Sequence, residues 1–257
     1  MPSLPPLVPR ARPLTEAEAR RHSRTTDIPL VGEDGQSRLR QARVAVVGAG
    51  GLGSPVLTYL AGAGIGTLTI IDNDVVEEHN LQRQVVHGTA AIGTAKVDSA
   101  VARLADLNPE VDLVARDIRL TSDNAVEELR GHDLVVDATD NLVVRFAIAD
   151  AAAELDLPVV YGSVSSSRAQ ITIFRESWGL GLRDLVREDQ ADGVTKLNDV
   201  GVLAPLTGMA GSLMATEAMK LIMGVGDPLF GRLVHLDAFS GRIDTLTLTP
   251  RPVTDQQ

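Results

Sequence analysis

A glycine-rich turn is the first feature of this chain whose residues could do chemistry. An apolar stretch, 44–47, runs into Gly48-Ala49-Gly50-Gly51-Leu52-Gly53, and Asp72 ends the next apolar stretch. Glycines allow the backbone to approach a phosphate, and the start of the following helix supplies free N–H groups with a partial positive charge. An acid at the end of the second strand is placed to accept hydrogen bonds from ribose hydroxyls. We therefore expect a nucleotide site at Gly48, Gly50, Gly51 and Gly53, although the turn alone does not specify the nucleotide.

A polar segment beyond Asp72 narrows the choice of nucleotide. Asn80-Leu81-Gln82-Arg83-Gln84 carries one arginine, and Lys96 follows on the next predicted helix. Arginine suits planar, multidentate recognition of phosphate, and the lysine adds a second cation. Each charge taken alone is more typical of a solvated surface, but their joint position beyond the glycine turn indicates a triphosphate.

A third polar segment, Asp137-Ala138-Thr139-Asp140-Asn141, closes another predicted strand. Ligands of open α/β sheets lie at the carboxyl ends of the strands, and a carboxylate there can hold Mg²⁺ together with phosphate oxygens. Asp140 could equally be the N-cap of the helix predicted to start at Asn141. The spacing by itself leaves both roles of Asp140 open.

The residue types exclude several kinds of catalysis. The chain has no cysteine, which removes disulfides, thiolate–zinc sites, thioesters and thiol redox chemistry. Its five histidines are scattered without metal-ligand spacing, so we interpret each as a surface or core histidine. A site with cations, a metal-binding acid and no protein nucleophile suits direct transfer between ATP and a bound carboxylate. An NAD-dependent oxidoreductase would explain the glycine turn and Asp72 but leaves Arg83 and Lys96 without a role.

The elements that must position these residues alternate along the chain. Strands are predicted over 43–47, 68–72, 112–117, 133–137 and 158–162, separated by helices over 53–63, 89–107, 122–129 and 141–155. This alternation predicts βαβ units and a Rossmann-like, doubly wound α/β fold with a mostly parallel sheet. Antiparallel C-terminal strands are then predicted over 168–174, 232–236 and 242–248, with a buried helix inside 201–224.

The two ends of the chain suggest a simple domain organisation. Short N-terminal helices are predicted over 15–24 and 35–41, the first opening with a capping box formed by Thr15 and Glu18. We expect a flexible, proline-rich arm over 1–13, a single domain over 14–250 and a tail over 251–257. A polar stretch, 175–199, has no clear periodicity, and a loop of that length is usually functional or mobile.

Composition limits the partners. The formal net charge is −10, which disfavours a nucleic-acid partner because such a partner usually requires a basic face. The longest apolar segment, 201–224, carries Pro205, Glu217 and Lys220, which fits a buried helix better than a membrane span. The N-terminus lacks the apolar run of a signal peptide. We therefore expect a cytoplasmic protein with neither a membrane nor a nucleic-acid partner.

Taken in order, these motifs resemble the ThiF/MoeB/HesA family, the bacterial relatives of ubiquitin-activating enzymes. The resemblance runs from about residue 21 to about residue 249, and only its glycine turn is common in other families. It rests on Arg21-His22-Ser23-Arg24, Gly48-Ala49-Gly50-Gly51-Leu52-Gly53, Asp72-Asn73-Asp74, Asn80-Leu81-Gln82-Arg83-Gln84, Gly93-Thr94-Ala95-Lys96-Val97, Ala138-Thr139-Asp140-Asn141 and Gly201-Val202-Leu203-Ala204-Pro205-Leu206.

The resemblance implies a homodimer that uses ATP to adenylate the C-terminal glycine carboxylate of a small β-grasp sulfur-carrier protein, releasing pyrophosphate. The carrier, which ends in Gly-Gly, would serve thiamine, molybdopterin or a related sulfur transfer. Implied catalytic residues are Arg24, Arg83, Lys96 and Asp140. The resemblance also implies individual roles. Asn80, Arg83 and Lys96 would bind the phosphates, Asp140 would bind Mg²⁺, and Asp72 would bind the ribose. Asp74, Gln84 and Asn141 would complete the nucleotide site, and Arg24 would contact the ATP of the partner subunit.

The chain departs from the family pattern where many relatives have cysteines. Gly181-Leu182-Arg183-Asp184 stands where they have the first of two Cys-x-x-Cys pairs that hold a structural zinc, and the place of a loop cysteine near Leu197 also has none. We therefore expect no zinc, and a sulfur donor on a separate protein. The resemblance also suggests that 175–199 crosses over the carrier's tail. A non-catalytic relative, or an activator of a peptide or small-molecule carboxylate, is the alternative.

Overall fold

Apolar strands and their connecting helices form one eight-stranded sheet in the computed structural model, which describes residues 5–9, 12–187 and 201–249. The strands are β1 Arg43–Val47, β2 Thr67–Ile71, β3 Asp112–Arg116, β4 Leu134–Asp137, β5 Val159–Ser165, β6 Arg168–Phe174, β7 Arg232–Asp237 and β8 Arg242–Thr247. Their order across the sheet is β3-β2-β1-β4-β5-β6-β7-β8. Strands β3, β2, β1, β4 and β5 are parallel to one another. Strands β6, β7 and β8 continue the sheet, each antiparallel to the strand before it. The predicted doubly wound α/β fold with antiparallel C-terminal strands is thus confirmed.

Helices cover both faces of this sheet. They are α1 Glu16–Arg21, α2 Ser23–Thr26, α3 Gly32–Gln41, α4 Gly53–Gly62, α5 Lys96–Leu107, α6 Ala125–Leu129, α7 Leu142–Glu154 and α8 Ala204–Met223. Apolar residues of α3, α4, α5 and α8 share one core cluster, and those of α6 and α7 share the other. Strand β1 lies between the two clusters, with Val44 and Val46 in the first and Ala45 and Val47 in the second. Burial on both faces explains why this strand is apolar throughout after Arg43.

Several helices differ from their predicted bounds. The helix predicted over 15–24 is divided into α1 and α2, and the helix predicted over 35–41 begins at Gly32. Two others begin later than predicted. The helix expected over 89–107 begins only at Lys96, because Gly93 adopts a φ of +86° and Val75 forms a β-bridge with Ala95. A left-handed residue ends a right-handed helix, so the segment before α5 is a short 3₁₀ turn instead. Ser122 was expected to cap the helix over 122–129, but that helix starts at Ala125 and its N-cap position is Asn124.

The N-terminal helices and the segment before them pack on the domain. The capping box of α1 is present, with Thr15 Oγ1 accepting from Glu18 N and Glu18 Oε2 accepting from Thr15 N. Ahead of it, Leu7 N donates to Leu221 O on α8, and Val8 is buried. Residues 5–9 of the N-terminal arm therefore lie against the last helix.

The connection after β6 is described as far as residue 187. It makes short 3₁₀ turns at Glu176–Trp178 and Leu182–Asp184, and the rest of the predicted loop, including Leu197, lies outside the described residues. None of the helices in the described ranges has the length and apolarity required to span a membrane.

Candidate functional site

The glycine turn lies between the carboxyl ends of β1 and β4. Gly48 has a φ of +98°, and a Cβ there would lie 2.8 Å from Ala138 O. A Cβ on Gly53 would lie 1.9 Å from Gly48 O. Side chains at these positions would clash with backbone atoms, so the glycines are required for the tight path of the turn into α4. Within α4, Ser54 N donates to Gly50 O and Val56 N donates to Leu52 O, and Pro55 has no N–H. The N–H groups of residues 50–53, at the start of the helix, have no acceptor within the described structure and are available to a phosphate.

Asp72 ties the neighbouring strand to this turn. Its Oδ2 accepts from Ala49 N at 2.7 Å, and its Oδ1 accepts from Asp74 N at 2.9 Å. Each carboxylate oxygen has a second lone pair, so the side chain can still accept a ribose hydroxyl. Burial raises the pKa of Asp72, while the charge of Lys96 and the two backbone N–H groups act in the opposite direction.

The polar segment 80–84 and Lys96 approach the turn from the other side. The carbons of the Arg83 side chain reach Gly51, since a Cβ on Gly51 would lie 3.5 Å from Arg83 Cδ. Gln84 Nε2 lies 3.5 Å from the Cβ position of Gly50. Asn80 is buried in the 3₁₀ turn that precedes Arg83 and Gln84. Lys96, at the first position of α5, is buried, and its Nζ lies 2.7 Å from Asp74 Oδ2.

Asp140 and Asn141 lie on the loop after β4 and have different local roles. Asn141 is the N-cap of α7, with its Oδ1 accepting from Val143 N and Val144 N. The capping role considered for Asp140 is therefore wrong, because Asn141 is the cap. Asp140 is exposed, and within the described residues no hydrogen bond or ion pair occupies its carboxylate.

Arg24 stands apart from these residues. Its guanidinium is 96% exposed and lies 3.7 Å from Asp27 on the same chain. Within the described part of one chain, the structure thus brings together the glycine turn, Asp72, Asp74, Asn80, Arg83, Gln84 and Lys96, with Asp140 and Asn141 on the adjoining loop. Arg24 is not part of that group.

Two buried networks that hold the site were not recognised in the sequence. Asp137 Oδ1 accepts from the N–H and the hydroxyl of Thr139, and the buried Arg145 donates to the carbonyls of Thr139 and Gly162. The Arg145 guanidinium also lies over the Tyr161 ring, 4.6 Å from its centre. This network fixes the path of the loop that carries Asp140. Only the apolar context of Asp137 and Arg145 in the sequence could have signalled their burial.

The second network involves His87. Its Nε2 lies 2.9 Å from Ala49 O in the glycine turn, and its Nδ1 lies 2.9 Å from Ser99 Oγ on α5. Burial lowers the pKa of His87. The expectation that each histidine is a surface or core residue agrees with the burial of His87, but it gave no sign of the contact with the turn.

The residues present fit a nucleoside triphosphate and a magnesium ion. Gln84 Oε1 is buried without a hydrogen-bond partner in the described structure, and such an oxygen can accept from a hydroxyl or amino group of a nucleotide. The glycine cradle, the cations Arg83 and Lys96 and the helix N-terminus together suit a phosphate chain. Mg²⁺ usually keeps several waters and substrate oxygens and needs only one or two carboxylates, so Asp140 is a sufficient protein ligand.

Comparison with known sequences places the chain among related proteins. A family model described as the ThiF family matches residues 22–256. The chain is 44% identical to a "Probable adenylyltransferase/sulfurtransferase MoeZ" of Mycobacterium tuberculosis, covering 98% of this chain and 66% of that protein. It is 42% identical to a "Sulfur carrier protein adenylyltransferase" of Thermus thermophilus, covering 93% of this chain and 90% of that protein. A Bos taurus "Adenylyltransferase and sulfurtransferase MOCS3" is also 42% identical.

This chain covers different fractions of the lengths of these relatives. The chain spans just under two thirds of the MoeZ protein and 54% of the Bos taurus protein, but nearly all of the Thermus protein. Among solved structures, E. coli MccB with ATP matches with a TM-score of 0.79 and 20% identity over 94% of this chain and 73% of that one. PaaA matches with a TM-score of 0.78 and 22% identity over 93% and 76%. At these identities the structural matches establish the fold alone.

Proposed function

The chain belongs to the ThiF family, and on that premise we propose that it adenylates the C-terminal carboxylate of a small sulfur-carrier protein with ATP. The observation that carries the proposal is the convergence of the glycine turn, Arg83, Lys96 and Asp140 at one edge of the sheet. The Thermus relative, which this chain covers almost completely, has that activity in its name. The carrier would serve molybdopterin, thiamine or a related sulfur transfer in the cytoplasm.

The reaction is a substitution at the α-phosphorus of ATP. A carboxylate oxygen of the carrier bonds to this phosphorus, the bond to the oxygen bridging to the β-phosphate breaks, and its electron pair leaves with pyrophosphate. No protein nucleophile is required. The chain's own contribution is to hold the phosphates through the turn and to offset their charge with Arg83 and Lys96.

A magnesium ion would be held by Asp140 and by phosphate oxygens. When bound, it would neutralise charge on the phosphate chain. Asn141 and the Asp137–Arg145 network would keep the loop in place for Asp140. Asp140 itself is free of the helix cap, so its carboxylate is available to the metal.

Arg24 fits this scheme only in a homodimer. Its exposed guanidinium lies outside the group of site residues of its own chain, as expected for a residue that reaches a partner subunit. A two-fold dimer would bring each Arg24 to the other subunit's ATP in a reciprocal way. We propose this arrangement for the working enzyme.

Sulfur transfer itself would require a thiol outside these 257 residues, and we propose that a separate protein supplies it. The chain has no cysteine, so it can form neither a persulfide nor a thioester with the carrier. The adenylated carrier would therefore leave this site for a separate sulfur donor. Activation of a peptide or small-molecule carboxylate is a weaker proposal, because the three relatives reported above are named for sulfur transfer or a sulfur carrier.

Carrier-dependent exchange of pyrophosphate into ATP tests the proposed reaction. We expect exchange with ATP, Mg²⁺ and a β-grasp carrier ending in Gly-Gly, and none with the same carrier lacking its final glycine. Intact mass should show AMP on the carrier and no covalent adduct on this chain. Absence of exchange with every carrier from the same genome would contradict the proposal, and a carrier–enzyme thioester would contradict the separate sulfur donor.

A further inference from the structure

A buried histidine outside the proposed catalytic set contacts the backbone of the glycine turn. His87 is 7% exposed and connects Ala49 O on the turn with Ser99 Oγ on α5. A carbonyl oxygen only accepts hydrogen bonds, so Nε2 must carry the proton. Nδ1 of the neutral ring then accepts from the Ser99 hydroxyl. Burial, aided by the charge of Lys96 and opposed by the Ala49 carbonyl and Asp72, lowers the pKa of His87 and so favours this neutral form.

Together with Asp72, His87 holds Ala49 from both sides. The Ala49 N–H donates to Asp72 Oδ2 at 2.7 Å, and the Ala49 carbonyl accepts from His87 Nε2 at 2.9 Å. The described peptide bonds are all trans, and in a trans peptide the C=O and the following N–H point in opposite directions. Because the Ala49 carbonyl points toward His87, the Gly50 N–H points away from it.

The Ala49–Gly50 peptide can rotate unless hydrogen bonds fix its orientation. Gly50 has no side chain and tolerates backbone angles that other residues rarely adopt, so rotation of the Ala49–Gly50 peptide meets little steric resistance. After such a rotation a carbonyl oxygen would occupy the position of the N–H. A phosphate there would then meet a partial negative charge instead of a hydrogen-bond donor.

We propose that His87 is a positioning residue of the nucleotide site, which holds the Ala49 carbonyl so that the Gly50 N–H is presented to the phosphates. This inference rests on the proposed function only in requiring that the turn binds ATP. His87 itself lies on the far side of the peptide and touches no reacting atom.

Calorimetric titration of Mg-ATP into the full-length protein, without carrier, tests the inference. We expect His87→Ala to weaken ATP binding about ten-fold, the effect of losing one hydrogen bond to the bound ligand. His87→Gln places an amide N–H near the Nε2 position and should restore binding to within about three-fold. His87→Asn, whose amide corresponds to the Nδ1 position, should not restore it. In the exchange assay the loss should fall on KM for ATP more than on kcat.

His132 provides a matched control. It is also a histidine that is partly buried and bonded at both ring nitrogens, to Leu129 O and Thr69 Oγ1, and both partners lie outside the nucleotide site. His132→Ala should lower the melting temperature and leave ATP binding unchanged. If His87→Ala fails to fold, the contrast between the Gln and Asn variants decides the question.

The outcomes separate this inference from the proposed function. Wild-type affinity for ATP in a folded His87→Ala protein, or equal affinities in the Gln and Asn variants, would overturn the positioning role alone. A wild-type protein that binds ATP but never exchanges pyrophosphate would contradict the proposed function and leave the positioning role standing. A wild-type protein that does not bind ATP would overturn both.

Discussion

Lys96 Nζ lies 2.7 Å from Asp74 Oδ2, and the lysine side chain is 6% exposed while the aspartate is 63% exposed. A lysine buried this deeply requires a partner charge, because an unpaired buried ammonium is strongly disfavoured. Asp74 supplies that charge at the edge where the proposed triphosphate binds. The pair suggests that phosphate oxygens share or replace the contact with Asp74 when ATP binds.

Replacement of Lys96 by methionine should therefore remove most activity. We expect Lys96→Met to lower kcat/KM in the exchange assay by about 100-fold or more, as for loss of a group that stabilises transition-state charge. Asp74→Asn retains the lysine side chain and a polar partner for its Nζ, so its effect should be at least ten-fold smaller. Wild-type exchange by a folded Lys96→Met protein would show that Lys96 is not a phosphate ligand.

The neighbouring residues Asp140 and Asn141 should separate activity from stability. Asp140→Asn should reduce Mg²⁺-dependent exchange by about 100-fold or more and leave the melting temperature unchanged, because Asp140 does not cap α7. Asn141→Ala should lower the free energy of unfolding by about 1 kcal/mol through loss of the cap. Urea titrations and exchange assays on both variants provide the test. Full exchange in Asp140→Asn would rule out the proposed metal role.

Mixing two inactive variants tests whether Arg24 acts on the partner subunit. Arg24→Ala and Asp140→Ala should each be inactive as homodimers. In a mixed dimer, the subunit with Arg24→Ala retains Asp140 and receives an intact Arg24 from its partner. Random re-association should thus restore about one quarter of wild-type exchange, because half of the dimers are mixed and each has one working site. No recovery after verified subunit exchange, or a monomer by analytical ultracentrifugation, would contradict the arrangement.

Ion pairs anchor the connection after β6. Asp156 accepts from Arg175 Nε and Nη2 at 3.0 and 2.6 Å and from Ser177 Oγ at 2.6 Å, and its own φ is +53°. Asp156→Ala should lower the free energy of unfolding by about 1–2 kcal/mol, since it loses these bonds and alanine disfavours this φ. Asp150→Ala, which removes an exposed partner of Arg183 on α7, should cost about 0.5 kcal/mol or less. Equal effects in chemical unfolding would contradict this ranking.

Acid should destabilise the protein through its buried histidines. Burial lowers the pKa of His132 below its ordinary value of 6.5, so the folded state binds this proton less readily than the unfolded state. Its contribution to stability is present above pH 6.5 and is lost as the pH falls toward the lower folded pKa. The loss can reach about 1.4 kcal/mol per pH unit for one histidine. His132→Gln should show a shallower decline in urea titrations between about pH 5 and 8, and parallel declines would contradict this assignment.

Local patterns in the sequence determined most of the architecture. Strand β1 was predicted with its observed bounds, because burial on both faces requires a continuous apolar run. The capping box of Thr15 and the long apolar helix α8 were likewise readable, since both depend on residues close together in the chain. The helix start at Lys96 was missed because the conformation of Gly93 depends on a bridge between Val75 and Ala95.

The residues of the nucleotide site could be predicted from the sequence, but the contacts that hold them could not. Motif spacing alone indicated a nucleotide site with Lys96, Arg83 and Asp140 near the glycine turn, because parallel strands bring their carboxyl ends to one edge. Only the tertiary structure decided which groups hold those residues in place. His87 and Ala49 are 38 residues apart, and Lys96 and Asp74 are 22 apart. Contacts over such separations depend on how the helices pack on the sheet, which no local pattern encodes.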